Sequence, residues 1–110
     1  MKLPERLASS RLPWQRAARL GPLLAWSLAL AAACRQIAAY APDALIVSLG
    51  VDTFKEDPIS QFKLDSPDYL RMGERIAALG KPTLFVMEGG YAVTEIGINA
   101  VNVLEGFQGA

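Results

Sequence analysis

The sequence contains no histidine. Imidazole is the commonest metal ligand and the side chain most often used as a general base near neutral pH, so its absence constrains the chemistry of this chain more than any other feature of its composition. There is one cysteine, Cys34, and therefore no intramolecular disulfide and no sign of an oxidised, stapled scaffold. The formal net charge is zero, so there is no overall excess of either sign to mark a nucleic-acid binder or an acidic tail.

What is present is unevenly distributed. The first 35 residues carry six basic side chains (Lys2, Arg6, Arg11, Arg16, Arg19 and Arg35) against Glu5 alone, and the remainder carries five basic and ten acidic ones. A basic head on an acidic body is a nucleic-acid arm, a membrane-seeking leader or sequence outside the domain; the third reading is favoured, with no nucleic acid and no membrane as partners. Residues 1–24 have three prolines, clustered arginines and no sustained period, and are expected to be an irregular segment outside the domain. A lipoprotein-type leader ending at Cys34 is the weaker alternative. Pro22 interrupts the leader, and Ala31 stands where a larger aliphatic is usual.

At 110 residues the chain is at most one small domain. Ala25 to Tyr40 is rich in helix formers and should end at Ala41, before Pro42. Ala44 to Leu49 is a short apolar run with β-branched residues and is expected to be a strand buried on both faces. Gly50 to Asp65 reads as a long loop with Asp57-Pro58 as a turn signal, of the length that is usually functional or disordered. Ser66-Pro67-Asp68 signals a helix start with Ser66 as its cap, and Tyr69, Met72, Ile76 and Leu79 follow at helical spacing before Gly80. Thr83 to Met87 is a second buried strand, Glu88 to Tyr91 a glycine-rich loop, and Thr94 caps a last helix to about Leu104. The fold class is α/β: a βαβ unit with parallel strands, flanked by an N-terminal and a C-terminal helix. Ligands of parallel sheets bind beyond the carboxyl ends of the strands, where the two loops emerge.

Two residues there could carry chemistry. Asp52, three residues past the first strand, is either a turn residue or a carboxylate placed to bind a metal or a cation. Tyr91, after Gly89-Gly90, either packs its ring over the loop or offers its hydroxyl to a developing oxyanion.

The run Ser48-Leu49-Gly50-Val51-Asp52-Thr53-Phe54, followed by Asp57-Pro58-Ile59 and Phe62-Lys63-Leu64, resembles the metal-aspartate segment of the arginase-like zinc deacetylases, the histone deacetylase and acetylpolyamine amidohydrolase family. Phe85 to Tyr91 resembles its catalytic tyrosine segment, and Met87-Glu88-Gly89-Gly90-Tyr91 with Gly50-Val51-Asp52-Thr53-Phe54 is closest to the bacterial acetylpolyamine amidohydrolase branch. The similarity covers about Ala25 to Phe107. It implies a cytoplasmic amidohydrolase in which zinc is bound by Asp52 among three protein ligands. Gly89 and Gly90 would line the bound substrate, and Tyr91 would stabilise the tetrahedral intermediate. The implied substrate is a small acetylated amine or acetyl-lysine, and a homo-oligomeric parent enzyme stays open.

The sequence departs from that family at the remaining site residues. An aspartate and a histidine that complete the zinc site, and the histidine pair that handles protons, would lie N-terminal to everything matched here. The expectation is therefore residues 25–110 as the C-terminal part of a deacetylase domain, a fragment inactive alone. A non-catalytic binding module that keeps the fold is the alternative.

Overall fold

The structure is a computed structural model that describes residues 22–109, so nearly all of the basic segment expected over 1–24 lies outside the described residues. Among the described residues three helices alternate with two strands: α1 (Pro22–Tyr40), β1 (Leu45–Leu49), α2 (Ser66–Ala77), β2 (Thr83–Met87) and α3 (Ile96–Gly109). Helix α1 begins three residues before the expected Ala25. Proline is tolerated in a first turn, where a backbone N–H would have no helical partner. At the other end Pro42 disfavours the right-handed region for its predecessor, and Ala41 turns out of the helix at φ 54° while its N–H still reaches Ile37 O at 3.0 Å.

β1 and β2 pair in parallel, in register from Leu45 opposite Thr83 to Leu49 opposite Met87. Side chains alternate across a strand, and on one face Leu45, Val47, Leu49 and Phe85 meet a core built from all three helices. Trp26 and Leu30 come from α1, Tyr69, Met72 and Ile76 from α2, and Val103 and Phe107 from α3. Phe85 and Phe107 meet edge to face at 5.2 Å, a geometry that adds to simple burial. The expectation of strands buried on both faces is corrected by the opposite face, where Ile46 is 76% and Leu84 58% exposed. Continuous apolar runs indicate strands suited to double cover, but the described residues cover only one side.

The start of α2 is also shifted. Its cap is Asp65, whose carboxylate accepts from Ser66 N and from Asp68 N, while the Asp68 carboxylate accepts from Asp65 N at 2.8 Å to complete a reciprocal capping box. Ser66 is the first helical residue, and its hydroxyl donates to Asn99 Oδ1 at 2.7 Å instead. Thr94 lies in a turn and does not cap α3, which starts at Ile96 and runs to Gly109, past the expected Leu104.

Helices α2 and α3 touch backbone to backbone. A methyl at Gly73 would sit 2.0 Å from Val103 O, and one at Gly106 would sit 1.9 Å from Leu70 O. Only glycine permits that approach. It fixes α3, and with it the entry of the loop between Glu88 and Glu95, against the body that carries the long loop.

Candidate active site

Parallel pairing brings both loops out at one edge of the sheet, and the pairing outlasts the strands. Glu88 N donates to Leu49 O at 3.0 Å, and Val51 N donates to Gly89 O at 2.9 Å. Asp52 and Gly89 are thereby held side by side. The Asp52 carboxylate lies over Gly89 so closely that a Cβ there would be 2.8 Å from Oδ2 and 3.1 Å from Cγ. A Cβ on Gly50 would meet Glu88 Oε1 at 2.8 Å and Asp52 Oδ1 at 3.0 Å, so two carboxylates flank one glycine at the strand ends. Gly90, at φ +139°, adopts a backbone that side-chain-bearing residues rarely take, and a Cβ on it would strike Val51 Cγ2 at 2.6 Å. The two glycines thus have separate reasons: Gly89 makes room for the aspartate and Gly90 permits the turn into Tyr91.

The long loop is ordered by its own apolar residues. Val51, Phe54 and Leu64 are buried in the core, and Phe54 and Leu64 form a parallel bridge in which Lys55 N donates to Leu64 O at 2.8 Å. The rest of the loop, Ile59 to Phe62, joins Asp52, Thr53 and Ala25 around an open cavity of about 620 Å³. Asp52 is half-buried at its wall. Gly89, Gly90 and Tyr91 are not among the residues that line it; Gly89 is buried beneath Asp52, and Tyr91 is 52% exposed on the adjoining loop.

Two buried polar side chains hold these segments, through partners that no local sequence pattern indicates. Tyr69, read in the sequence as one member of an apolar helix face, places its hydroxyl on both neighbours of Asp52. It donates to Val51 O at 3.2 Å and pairs with Thr53 Oγ1 at 3.0 Å. Burial pushes its phenol up to about 12, against a smaller opposing effect of the Thr53 bond, so it remains a neutral donor. Asp57, read as a turn signal, is buried and accepts from Ile59 N at 2.9 Å and from Tyr91 N at 2.8 Å, across 34 residues of sequence. The available signal was the tyrosine itself: a hydroxyl on a buried helix face requires a partner.

Asp52, like Glu88 on the other side of Gly50, differs from Asp57 and Asp68. Asp57 and Asp68 are occupied by backbone N–H groups and Arg71, whereas Asp52 makes no hydrogen bond to a described side chain or backbone group. It is a carboxylate at the mouth of a parallel pair, oriented by the backbone and available to a ligand.

The sequence profile of the histone deacetylase domain matches residues 11–107. The chain belongs to the histone deacetylase family. It is 83% identical over 84 residues to acetylpolyamine amidohydrolase 2 of Pseudomonas aeruginosa, covering 76% of this chain and 24% of that protein. Acetylpolyamine amidohydrolase 1 of the same organism is 79% identical over 85 residues, covering 77% of this chain and 25% of the relative. The crystal structure of acetylpolyamine aminohydrolase from Burkholderia pseudomallei superposes with a TM-score of 0.74 at 38% identity, over 77% of this chain and 25% of that one. This deacetylase-family chain thus spans about a quarter of the length of the relatives it matches.

The family resemblance implies zinc, and the donor set can be tested against it. A catalytic zinc site takes three protein ligands. The sequence has no histidine, and among the described residues no group of three acidic, cysteine or histidine side chains could hold a metal ion. The residues present do not make a zinc site by themselves; Asp52 is one suitable donor. No helix among the described residues is long and apolar enough to cross a membrane, α1 included.

Proposed function

We propose that this chain forms one wall of the active site of a zinc-dependent amidohydrolase that removes acyl groups from acetylated amines, acetylpolyamines before acetyl-lysine. In this reading Asp52 supplies one of the metal's ligands and Tyr91 donates a hydrogen bond to the oxygen that gains negative charge during amide cleavage. Gly90 would let the backbone pass close to the substrate, and Gly89, assigned to the same substrate loop, acts from beneath Asp52, where it makes room for the carboxylate. The observation that carries it is the contact between the Asp52 carboxylate and Gly89, which joins a carboxylate available to a ligand to the loop leading into Tyr91. The preference for acetylpolyamines rests on what the two Pseudomonas relatives are called, at 79% and 83% identity.

The two residues would act at different moments. A ligand such as Asp52 is needed in every state of the enzyme, whereas a phenol aimed at a developing oxyanion matters mainly in the transition state. The test is a rebuilt enzyme, P. aeruginosa acetylpolyamine amidohydrolase 2 carrying the matching 84 residues of this chain. Asp52→Ala should lose bound zinc together with activity. Tyr91→Phe should keep the zinc and lower kcat by about 10² to 10³-fold. Retained zinc in Asp52→Ala would make the aspartate a turn residue, and an unimpaired Tyr91→Phe would make the tyrosine loop packing. The lack of histidine favours, as a second reading, a non-catalytic module; a metal-independent ligand of the 110-residue chain, found by calorimetry with acetylated polyamines, would support it.

A further inference from the structure

We propose that Asp57 is a positioning residue that sets Tyr91 and the cavity wall at Ile59 relative to each other. The inference rests on the amidohydrolase reading of the site and adds to it a residue that touches neither metal nor substrate. Its carboxylate is buried, and its two oxygens have separate tasks. Oδ1 accepts from Ile59 N at 2.9 Å, and Oδ2 accepts from Tyr91 N at 2.8 Å. Ile59 lines the cavity beside Asp52, whereas Tyr91 belongs to the other loop, 34 positions away. One rigid planar group therefore spans the two loops.

The geometry leaves Tyr91 few other restraints. The residue is 52% exposed, and the two glycines before it, Gly89 and Gly90, have the backbone freedom of residues without a Cβ. A flexible glycine followed by a half-exposed ring would leave the phenol free to wander, and an error of about 1 Å in a catalytic group can cost on the order of 10²-fold in rate. The Asp57 bond pins the backbone at the tyrosine itself. The aspartate is in turn fixed by its own N–H, which donates to Phe54 O at 3.0 Å, and Phe54 is anchored in the core. The chain of restraint runs from the core through Phe54 and Asp57 to Tyr91.

Asparagine at this position keeps the shape but replaces one acceptor oxygen by an amide that faces a backbone donor, so one of the two tethers fails. Alanine removes both. In the rebuilt enzyme, Asp57→Ala should lower kcat about 10 to 100-fold through Tyr91 and raise KM through Ile59, with Asp57→Asn intermediate and bound zinc unchanged in both. The distinguishing step is to repeat Asp57→Ala in the Tyr91→Phe background. There the kcat loss should shrink to less than about 3-fold, since the hydroxyl being positioned is gone, while the KM rise persists. Hydrogen exchange of the peptide spanning residues 88–93 should be faster in Asp57→Ala than in the parent. A kcat loss that multiplies fully with that of Tyr91→Phe would overturn the proposal, as would unchanged exchange over 88–93. Failure of the functional reading has a separate signature: Tyr91→Phe alone would then be fully active, and the exchange measurement would still decide whether Asp57 tethers the loop.

Discussion

Replacing Gly106 by alanine sets two effects of opposite sign against each other, and the structure decides between them. In an open helix interior alanine is favoured over glycine by about 1 kcal/mol, and Gly106 has no positive φ that would bar a side chain. At this position, however, the new Cβ would be 1.9 Å from Leu70 O, 2.9 Å from Leu70 C and 3.1 Å from Glu74 N, all of them backbone atoms of α2. Van der Waals separation requires α3 to retreat by roughly 1 Å or more. That movement opens the packing around Val103, which is fully buried, and Phe107. Overpacking of this kind costs about 1–3 kcal/mol. The backbone cannot rotate away as a side chain could, which places this site at the upper end and leaves about 2 kcal/mol of net destabilisation after the helix-propensity gain. Thermal unfolding of the rebuilt enzyme would record it as a fall in Tm of about 2 °C or less per kcal/mol, since that enzyme, about four times the length of the matched segment, exceeds the 150–250 residues for which 2–4 °C is usual. Gly97→Ala is the internal control, in the same helix but with nothing within 4 Å of the added methyl; it should be neutral or slightly stabilising. If the two substitutions shift Tm alike, the close approach of α2 and α3 is not what fixes Gly106.

Tyr69→Phe leaves Val51 O and Thr53 Oγ1 without their buried partner and should destabilise by about 1–3 kcal/mol, with some loss of zinc affinity because both atoms flank Asp52; unchanged zinc binding and Tm would count against the clamp. The N–H of Ser66 and, secondarily, Lys55 hold the Asp65 carboxyl below its ordinary 3.8. Its contribution to capping α2 is therefore present above that value and lost as pH falls through the lower folded value. The stability gap between parent and Asp65→Ala should be flat near neutrality and narrow in acid; a gap that widens toward acid would reverse the sign. The 110-residue chain assayed with zinc should not turn over acetylated lysine or acetylpolyamines, because it offers one suitable ligand and no histidine; Asp52-dependent turnover would refute this. With Ile46, Leu84 and Val86 exposed on a sheet face that the described residues leave uncovered, that chain should also self-associate, and a monodisperse monomer with cooperative unfolding would contradict it.

The order of elements and the parallel pairing were legible because hydrophobic period and proline–glycine punctuation are local signals. Pro42 ends α1 and Gly80, at φ +67°, follows α2, both as the sequence indicates. Helix caps were less legible because several polar residues competed for the same role. Ser66 and Thr94 were plausible caps, but Asp65 has its reciprocal partner three residues on in Asp68, and α3 begins two residues after Thr94. The second sheet face is less buried than its apolar sequence indicates, for a physical reason. An apolar run records the environment a strand is suited to, whereas exposure records only what the described residues place against it.

The site divides along the same line. Asp52 and Tyr91 could be singled out because each follows a strand and a glycine, a pattern confined to a few adjacent residues. Their supports could not, because a tether is a relation between distant positions. Nothing local to Asp57 distinguishes a turn aspartate from one whose second oxygen meets a backbone N–H 34 residues away. Nothing local to Tyr69 indicates that its hydroxyl will reach the residues on either side of Asp52. What the sequence does contain is the constraint that makes such relations necessary, since a buried carboxylate or phenol without a partner is costly. Asn99 is the remaining instance. It is fully buried, its Oδ1 accepts from Ser66, and its amide nitrogen has no partner among the described residues. By the same logic that ties Asp57 to Tyr91, that nitrogen marks the point between α2 and α3 where a bound water or a further acceptor is required.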